Sequence, residues 1–226
     1  MHNVVYYLEG IYGVFGGPTN ALQDLGFMLI PEINTSSLPF LPTNGILFGL
    51  FAIGFVALSF PFFFPLKFSF SPVQALWRGS FVASICVFLR TISFIFTLLP
   101  APNIHCQRYL TGANLNGESF YPPQSLAEIF SAFGTDSGCG DLIFSSHVMY
   151  ALVVVCTMFH YYPTNLIRYI LAILVITLAL LCIAQRSHYT VDVIVACYTV
   201  PLVWLSLCHL IPRDIQSFRF WLDQPQ

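Results

Sequence analysis

Charge is what this 226-residue chain has least of: eight Lys and Arg with ten Asp and Glu make up 8% of it, against about 25% in an ordinary soluble domain. A soluble fold of this length could not cover its surface with so few charged groups. The net charge of −2 and the scattered cations form no basic stripe, so nucleic-acid binding has no support. The apolar start, Val4 to Phe15, lacks the basic residues and small-residue cleavage site of a signal peptide. No repeat or low-complexity tract appears. No compact ligand pattern such as H-E-x-x-H is present, so a metal site built from His147, His188 and Asp192 is the weaker reading, and neither a metal nor a cofactor is expected.

What is abundant is hydrocarbon. Hydrophobic residues make up 57% of the chain, and its mean hydropathy is +0.76. Crossing a bilayer takes about 20 apolar residues. Runs at 44–64, 75–99, 143–162, 166–184 and 192–211 qualify, and 4–16 reads as a partial sixth span. The expected fold is all-α, a polytopic membrane helix bundle of about six spans forming one domain over 1–226. Only the connection at about 100–142 has the composition of a structured polar loop.

If consecutive spans alternate direction, His147 opens the fourth span on one side of the membrane. The chain turns on the other side near Pro163, and the fifth span returns to the first side at Arg186 and His188. The two histidines therefore share a side. Asp192 lies one helical turn beyond His188, on the same face. Arg90 lies in the half of the third span leading to that side. Lys67, Arg78, Arg168, Arg213 and Arg219 fall on the opposite side, which makes that side cytosolic by the positive-inside rule. The histidines are thus expected on the lumenal or exoplasmic side. Cys106 and Cys139 bracket the long loop there, where the redox environment permits a disulfide.

Polar groups are costly at membrane depth, and those found there usually work. A neutral His188 held by Asp192 has a fixed tautomer and raised basicity, so it can attack phosphorus. A protonated His147 can donate to a leaving oxygen. Arg90 and Arg186 can bind nonbridging phosphate oxygens. Any one of these groups, alone, has an ordinary structural reading; the set on one derived side points to function. His2, His105, His160 and His209 have no such company and are read as structural or interfacial.

The stretch Ser145-Ser146-His147, followed by Arg186-x-His188-x-x-x-Asp192, resembles the second and third signature motifs of the type 2 phosphatidic acid phosphatase superfamily. More narrowly, Cys139-Gly140-Asp141 with Phe144-Ser145-x-His147, and His188-Tyr189-Thr190-x-Asp192-Val193, resemble the sphingomyelin synthase-related sphingolipid synthases. The wording is most similar to the inositol phosphorylceramide synthases of plants and some protists, as are Leu22-Gln23-Asp24-Leu25-Gly26-Phe27 and Leu99-Pro100-x-Pro102-Asn103-x-His105-Cys106. The resemblance runs from about residue 20 to 211. The family's amino-terminal extension has no counterpart here, so sequences resembling this one are expected to carry a longer amino-terminal region.

The resemblance implies transfer of a phospho-headgroup, with phosphoinositol foremost, from a glycerophospholipid to ceramide in a Golgi or other secretory-pathway membrane. It makes His188 the nucleophile, Asp192 its orienting carboxylate and His147 the acid/base. Asp141, Ser145, Ser146 and Tyr189 are then headgroup contacts or structural positions. Arg186 stands nearer the histidine than the phosphatase pattern has it. Ser146 replaces the Gly commoner in sphingomyelin synthases, which argues for a different headgroup. The readings left open are a headgroup transferase of inositol, choline or ethanolamine type, a phosphatase using water as acceptor, and a non-catalytic lipid binder. The expected partners are ceramide, glycerophospholipid and membrane lipid.

Overall fold

The computed structural model of the protein describes residues 22–33, 42–63, 72–97, 99, 102, 142–161 and 165–211. The expected partial span at 4–16, Cys106, Cys139 and Asp141 lie outside the described residues. Among those described, secondary structure is wholly helical: α1 is Leu25–Leu29, α2 Pro42–Phe63, α3 Pro72–Phe96, α4 Ser146–Tyr161, α5 Asn165–Ala184 and α6 Thr190–Leu210. Three of them, α3, α5 and α6, are long and apolar enough to cross a membrane, while Thr43–Ser59 within α2 and the whole of α4 are shorter apolar helices.

The outer faces fit that setting. Phe55, Phe88, Leu166, Ile173, Leu202 and Leu205 are each more than half exposed, a pattern that water would penalise and hydrocarbon does not. Helix starts follow local chemistry. Pro72 opens α3, where its missing N–H is one that no helix could satisfy. Pro201 sits inside α6, a placement a membrane helix tolerates better than a soluble one.

The contacts separate the chain into two compact units, one from Met1–Pro39, Phe88–Ser145 and Ala179–Val195, the other from Phe40–Val87, Ser146–Leu178 and Ala196–Gln226. In the second unit α2 packs on α4. Gly54 lets them approach closely at their crossing, where a Cβ would stand 3.0 Å from Val154 Cγ1 and the valine would have to give way. A recess of about 330 Å3, lined by Phe51, Gly54, Ala75, Gly79, Tyr150 and Val153 among others, lies in the same unit. Its walls are mostly hydrocarbon, and the buried Thr157 hydroxyl donates to Val153 O at 2.8 Å within its own helix.

Arg78 is buried in this unit at 2% exposure. It donates to Cys208 Sγ at 3.1 Å and to Ile211 O at 2.5 Å. A cation at that point answers both the unpaired carbonyls and the negative dipole end of α6. Of the five cysteines in or near the apolar runs, Cys86 and Cys182 are buried, whereas Cys197 is exposed.

Candidate active site

The first unit collects most of the polar residues singled out in the sequence. Asp192 is the third residue of α6 and fully buried. From there its Oδ2 reaches back to accept the Tyr189 amide at 2.9 Å, the carboxylate half of a capping box. The same Oδ2 stands 3.7 Å from His188 Nδ1. That separation is an ion-pair distance rather than a made hydrogen bond. Oδ1 is buried and accepts no hydrogen bond among the described residues. The i, i+4 spacing thus brings the pair together across the turn that starts α6, with the carboxylate on the Nδ1 side of the ring.

Arg186 is held by the end of α5. The Ser187 amide donates to Cys182 O at 3.2 Å and the Arg186 amide to Ile183 O at 3.1 Å, which together make a Schellman stop. That stop puts Arg186 in the left-handed region, at φ 56°, where glycine is usual and another residue costs about 1–2 kcal/mol. The side chain gives the reason for tolerating it. Nη2 donates to Phe27 O at 2.8 Å and Ile30 O at 3.2 Å, and the guanidinium lies 4.2 Å from the Phe27 ring centre. Nη1 is buried with no hydrogen-bond partner among the described residues.

Arg90 donates from Nε to Phe144 O at 2.7 Å and lies 5.3 Å from the Phe94 ring centre. The next residue, Ser145, is buried and donates its amide to Asp192 O at 3.3 Å. The second motif's Ser145 therefore touches the third motif's Asp192 through the backbone, and Arg90 fixes the residue between Ile143 and Ser145. Tyr189 is also buried. Burial, together with the Asp192 and Asp24 charges, pushes its phenol above the ordinary value of 10.0, while the Leu22 amide opposes the rise.

Ser146 and His147 belong to the second unit, on the first turn of α4. There His147 Nε2 is 3.0 Å from Asn44 Oδ1 of α2, an arrangement in which Nε2 carries the proton.

Sequence reasoning did not assign roles to Asn44, Phe144, Asp24, Phe27 or Thr190. Asp24 caps α1 by accepting the Gly26 amide at 2.7 Å. It also accepts the Thr190 amide and hydroxyl, each at 2.6 Å. Burial works against this carboxylate, but the bonds from Thr190, Gly26 and Phe27 outweigh it and hold the acid below its ordinary 3.8. The signal available for it was the Leu22–Phe27 wording, which carries likeness but not contact.

A family model described as PAP2 superfamily C-terminal matches residues 138–210. The chain is 35% identical over 220 residues to phosphatidylinositol:ceramide inositolphosphotransferase 3 of Arabidopsis thaliana, covering 93% of this chain and 72% of that protein. It is 38% identical over 201 residues to phosphatidylinositol:ceramide inositolphosphotransferase of Oryza sativa subsp. indica, covering 87% of this chain and 59% of the relative, so it spans less than two thirds of the rice protein. It is 33% identical over 128 residues to phosphatidylcholine:ceramide cholinephosphotransferase 2 of Rattus norvegicus, covering 54% and 34% respectively. No solved structure matches the chain.

Proposed function

This chain belongs to the sphingomyelin synthase-related sphingolipid synthase family, and from that premise we propose that it is a ceramide phosphotransferase, moving phosphoinositol from a glycerophospholipid to ceramide and releasing diacylglycerol. The observation that carries the reading is the His188–Asp192 pair, 3.7 Å apart, with the carboxylate fully buried. A carboxylate on the Nδ1 side leaves Nε2 as the reacting atom. The choice of phosphoinositol rests on the names of the plant relatives, which match more of this chain than the rat cholinephosphotransferase does.

In the reaction, His188 Nε2 attacks phosphorus and forms a P–N bond as the P–O bond to the diacylglycerol oxygen breaks. His147 gives that oxygen its proton. His147 then accepts the proton of the ceramide primary hydroxyl, whose oxygen attacks the phosphohistidine, and the P–N bond breaks to free His188. Each half-reaction balances with one proton passed through His147. Arg186, with one buried nitrogen carrying no hydrogen bond among the described residues, and Arg90 stabilise the nonbridging oxygens. The work is done in a Golgi or other secretory-pathway membrane, on its lumenal side. The bias of Lys and Arg between the two sides supports that orientation.

The test is purified protein in mixed micelles with labelled ceramide and phosphatidylinositol, phosphatidylcholine or phosphatidylethanolamine, with and without chelator. Labelled inositol phosphorylceramide formed in chelator supports the reading. Free phosphoinositol with unchanged ceramide moves it to a hydrolase. Product from phosphatidylcholine alone moves the headgroup to choline.

A further inference from the structure

We propose that residues 22–33 are a positioning clamp for His188, with the Asp24 carboxylate as its central group, a proposal that rests on the transferase reading above. The clamp does not touch substrate. It fixes the backbone on both sides of the nucleophile.

Of the residues flanking His188, three are bonded to the segment 22–30, more than 150 positions away in the chain. Arg186, two before it, binds Phe27 O and Ile30 O and lies on the Phe27 ring. Tyr189, one after it, accepts the Leu22 amide at 3.2 Å and stacks on Phe27 with centroids 5.4 Å apart. Thr190, two after it, gives both its amide and its hydroxyl to Asp24. In addition, the Ile33 amide satisfies Ala184 O at the end of α5, at 2.9 Å. His188 is therefore carried on a short bridge between two helix ends, and both ends are tied to the same piece of chain.

Asp24 is the member for which a cap alone does not account. One oxygen would serve to cap α1, and the amide of Thr190 could find a partner in its own sequence. Instead Oδ1 takes the Gly26 amide and the Thr190 hydroxyl, while Oδ2 takes the Thr190 amide. One negative charge thus faces the first turns of α1 and α6 together, where helix dipoles favour it. Contact is close enough that a Cβ on Gly26 would lie 2.0 Å from Thr190 Oγ1, so the register between the segment and α6 has no play. Because Asp192 rides on that first turn, the height of α6 sets the 3.7 Å separation between Asp192 and His188.

The test uses the full chain in detergent, comparing wild type with Asp24→Ala, Thr190→Val and Thr190→Ser. Readouts are kcat and KM for ceramide, folded fraction, and amide hydrogen exchange across 186–192. A displaced catalytic group costs roughly 100-fold, so Asp24→Ala and Thr190→Val should lose about that much kcat with KM within about threefold. Thr190→Ser, which keeps the hydroxyl, should recover most of it. The double variant Asp24→Ala/Thr190→Val should be no worse than the worse single variant. Exchange across 186–192 should quicken in Asp24→Ala while α2 and α4 are unaffected. A kcat that is unchanged, or that falls only in proportion to the folded fraction, overturns the clamp. If Asp24→Ala does not fold, Thr190→Val against Thr190→Ser decides by the same criteria. If wild type makes no phosphorylated ceramide, the transferase reading fails on its own, and exchange alone judges the clamp: quickened in the variant it stands, unchanged it falls.

Discussion

The Arg186 guanidinium lies 4.2 Å from the centre of the Phe27 ring, although 159 positions separate the two residues. The contact sets two energies against each other at one residue. Left-handed backbone costs a non-glycine residue about 1–2 kcal/mol, while charge-assisted hydrogen bonds and a cation over an aromatic face return about the same or more.

Arg186→Gly relieves the backbone and loses the contacts, whereas Arg186→Ala loses the contacts and keeps the strain. The glycine variant should therefore be the more stable of the two by about 1 kcal/mol, the reverse of the usual order of these residues in helices. If Arg186 binds phosphate as proposed, both should lose at least about tenfold in turnover. Thermal unfolding in detergent beside the ceramide assay checks both halves. An alanine variant at least as stable as glycine would remove the strain argument.

Turnover should vanish in His188→Ala with folding intact. Asp192→Asn keeps an acceptor for the Tyr189 amide but loses the charge beside Nδ1. In the serine proteases the corresponding change costs about ten-thousand-fold, and a loss of that order is expected here. Acid-labile, base-stable label on wild type but not on His188→Ala would identify the covalent step. Near-wild-type turnover in folded His188→Ala would sink the mechanism.

Asp24 makes docking of the 22–33 segment depend on pH in one direction. Its folded acid strength is raised, with the pKa below the ordinary 3.8. The stability it contributes is therefore fully present above pH 3.8 and is lost as pH falls below it through the lower folded value. The protection factor at 186–192, which is exchange normalised to the intrinsic rate at each pH, should be flat from neutral pH down to that point and fall beneath it. Asp24→Asn should show raised exchange throughout, with no inflection of its own. A midpoint near neutral pH would assign the dependence to another group.

How much of this was legible in the sequence depends on how far each cause reaches. The apolar runs are local facts, and helices stand on them at α2 to α6. Their ends are not local. The run beginning at residue 143 gives a helix only from Ser146, because Phe144 O is taken by Arg90 and the Ser145 amide by Asp192 O. The last helix begins at Thr190, two residues before the apolar run at 192, because Asp24 and Asp192 satisfy the amides at its start. The i, i+4 relation of His188 and Asp192 could be read from spacing. The partners Asp24, Phe27 and Asn44 could not, since nothing in a single sequence tells which distant segment will dock.

The orientation proposed above has a test that uses residues outside the described part of the chain. A thiol reagent that cannot cross membranes should leave Cys106 and Cys139 unlabelled in sealed vesicles whose cytosolic side faces out, and should reach both after opening with reductant. Labelling of either before opening would reverse the assignment of sides.

The close approach of Gly26 to Thr190 makes the last prediction. A Cβ on Gly26 would meet Thr190 Oγ1 at 2.0 Å and Thr190 Cβ at 3.2 Å, and neither can retreat far while Thr190 is held by Asp24. Overpacking of this kind costs about 1–3 kcal/mol, so Gly26→Ala should lower the unfolding temperature and quicken exchange at 186–192. Thr190→Ala alone loses the hydroxyl bond to Asp24 but makes room. Combining the two therefore removes the clash while losing the hydrogen bond only once. The double variant should be less destabilised than the sum of the singles, by at least about 0.5 kcal/mol for residues in contact. Strict additivity would mean that Gly26 and Thr190 do not touch, and with that the register between the 22–33 segment and α6 would lose its basis.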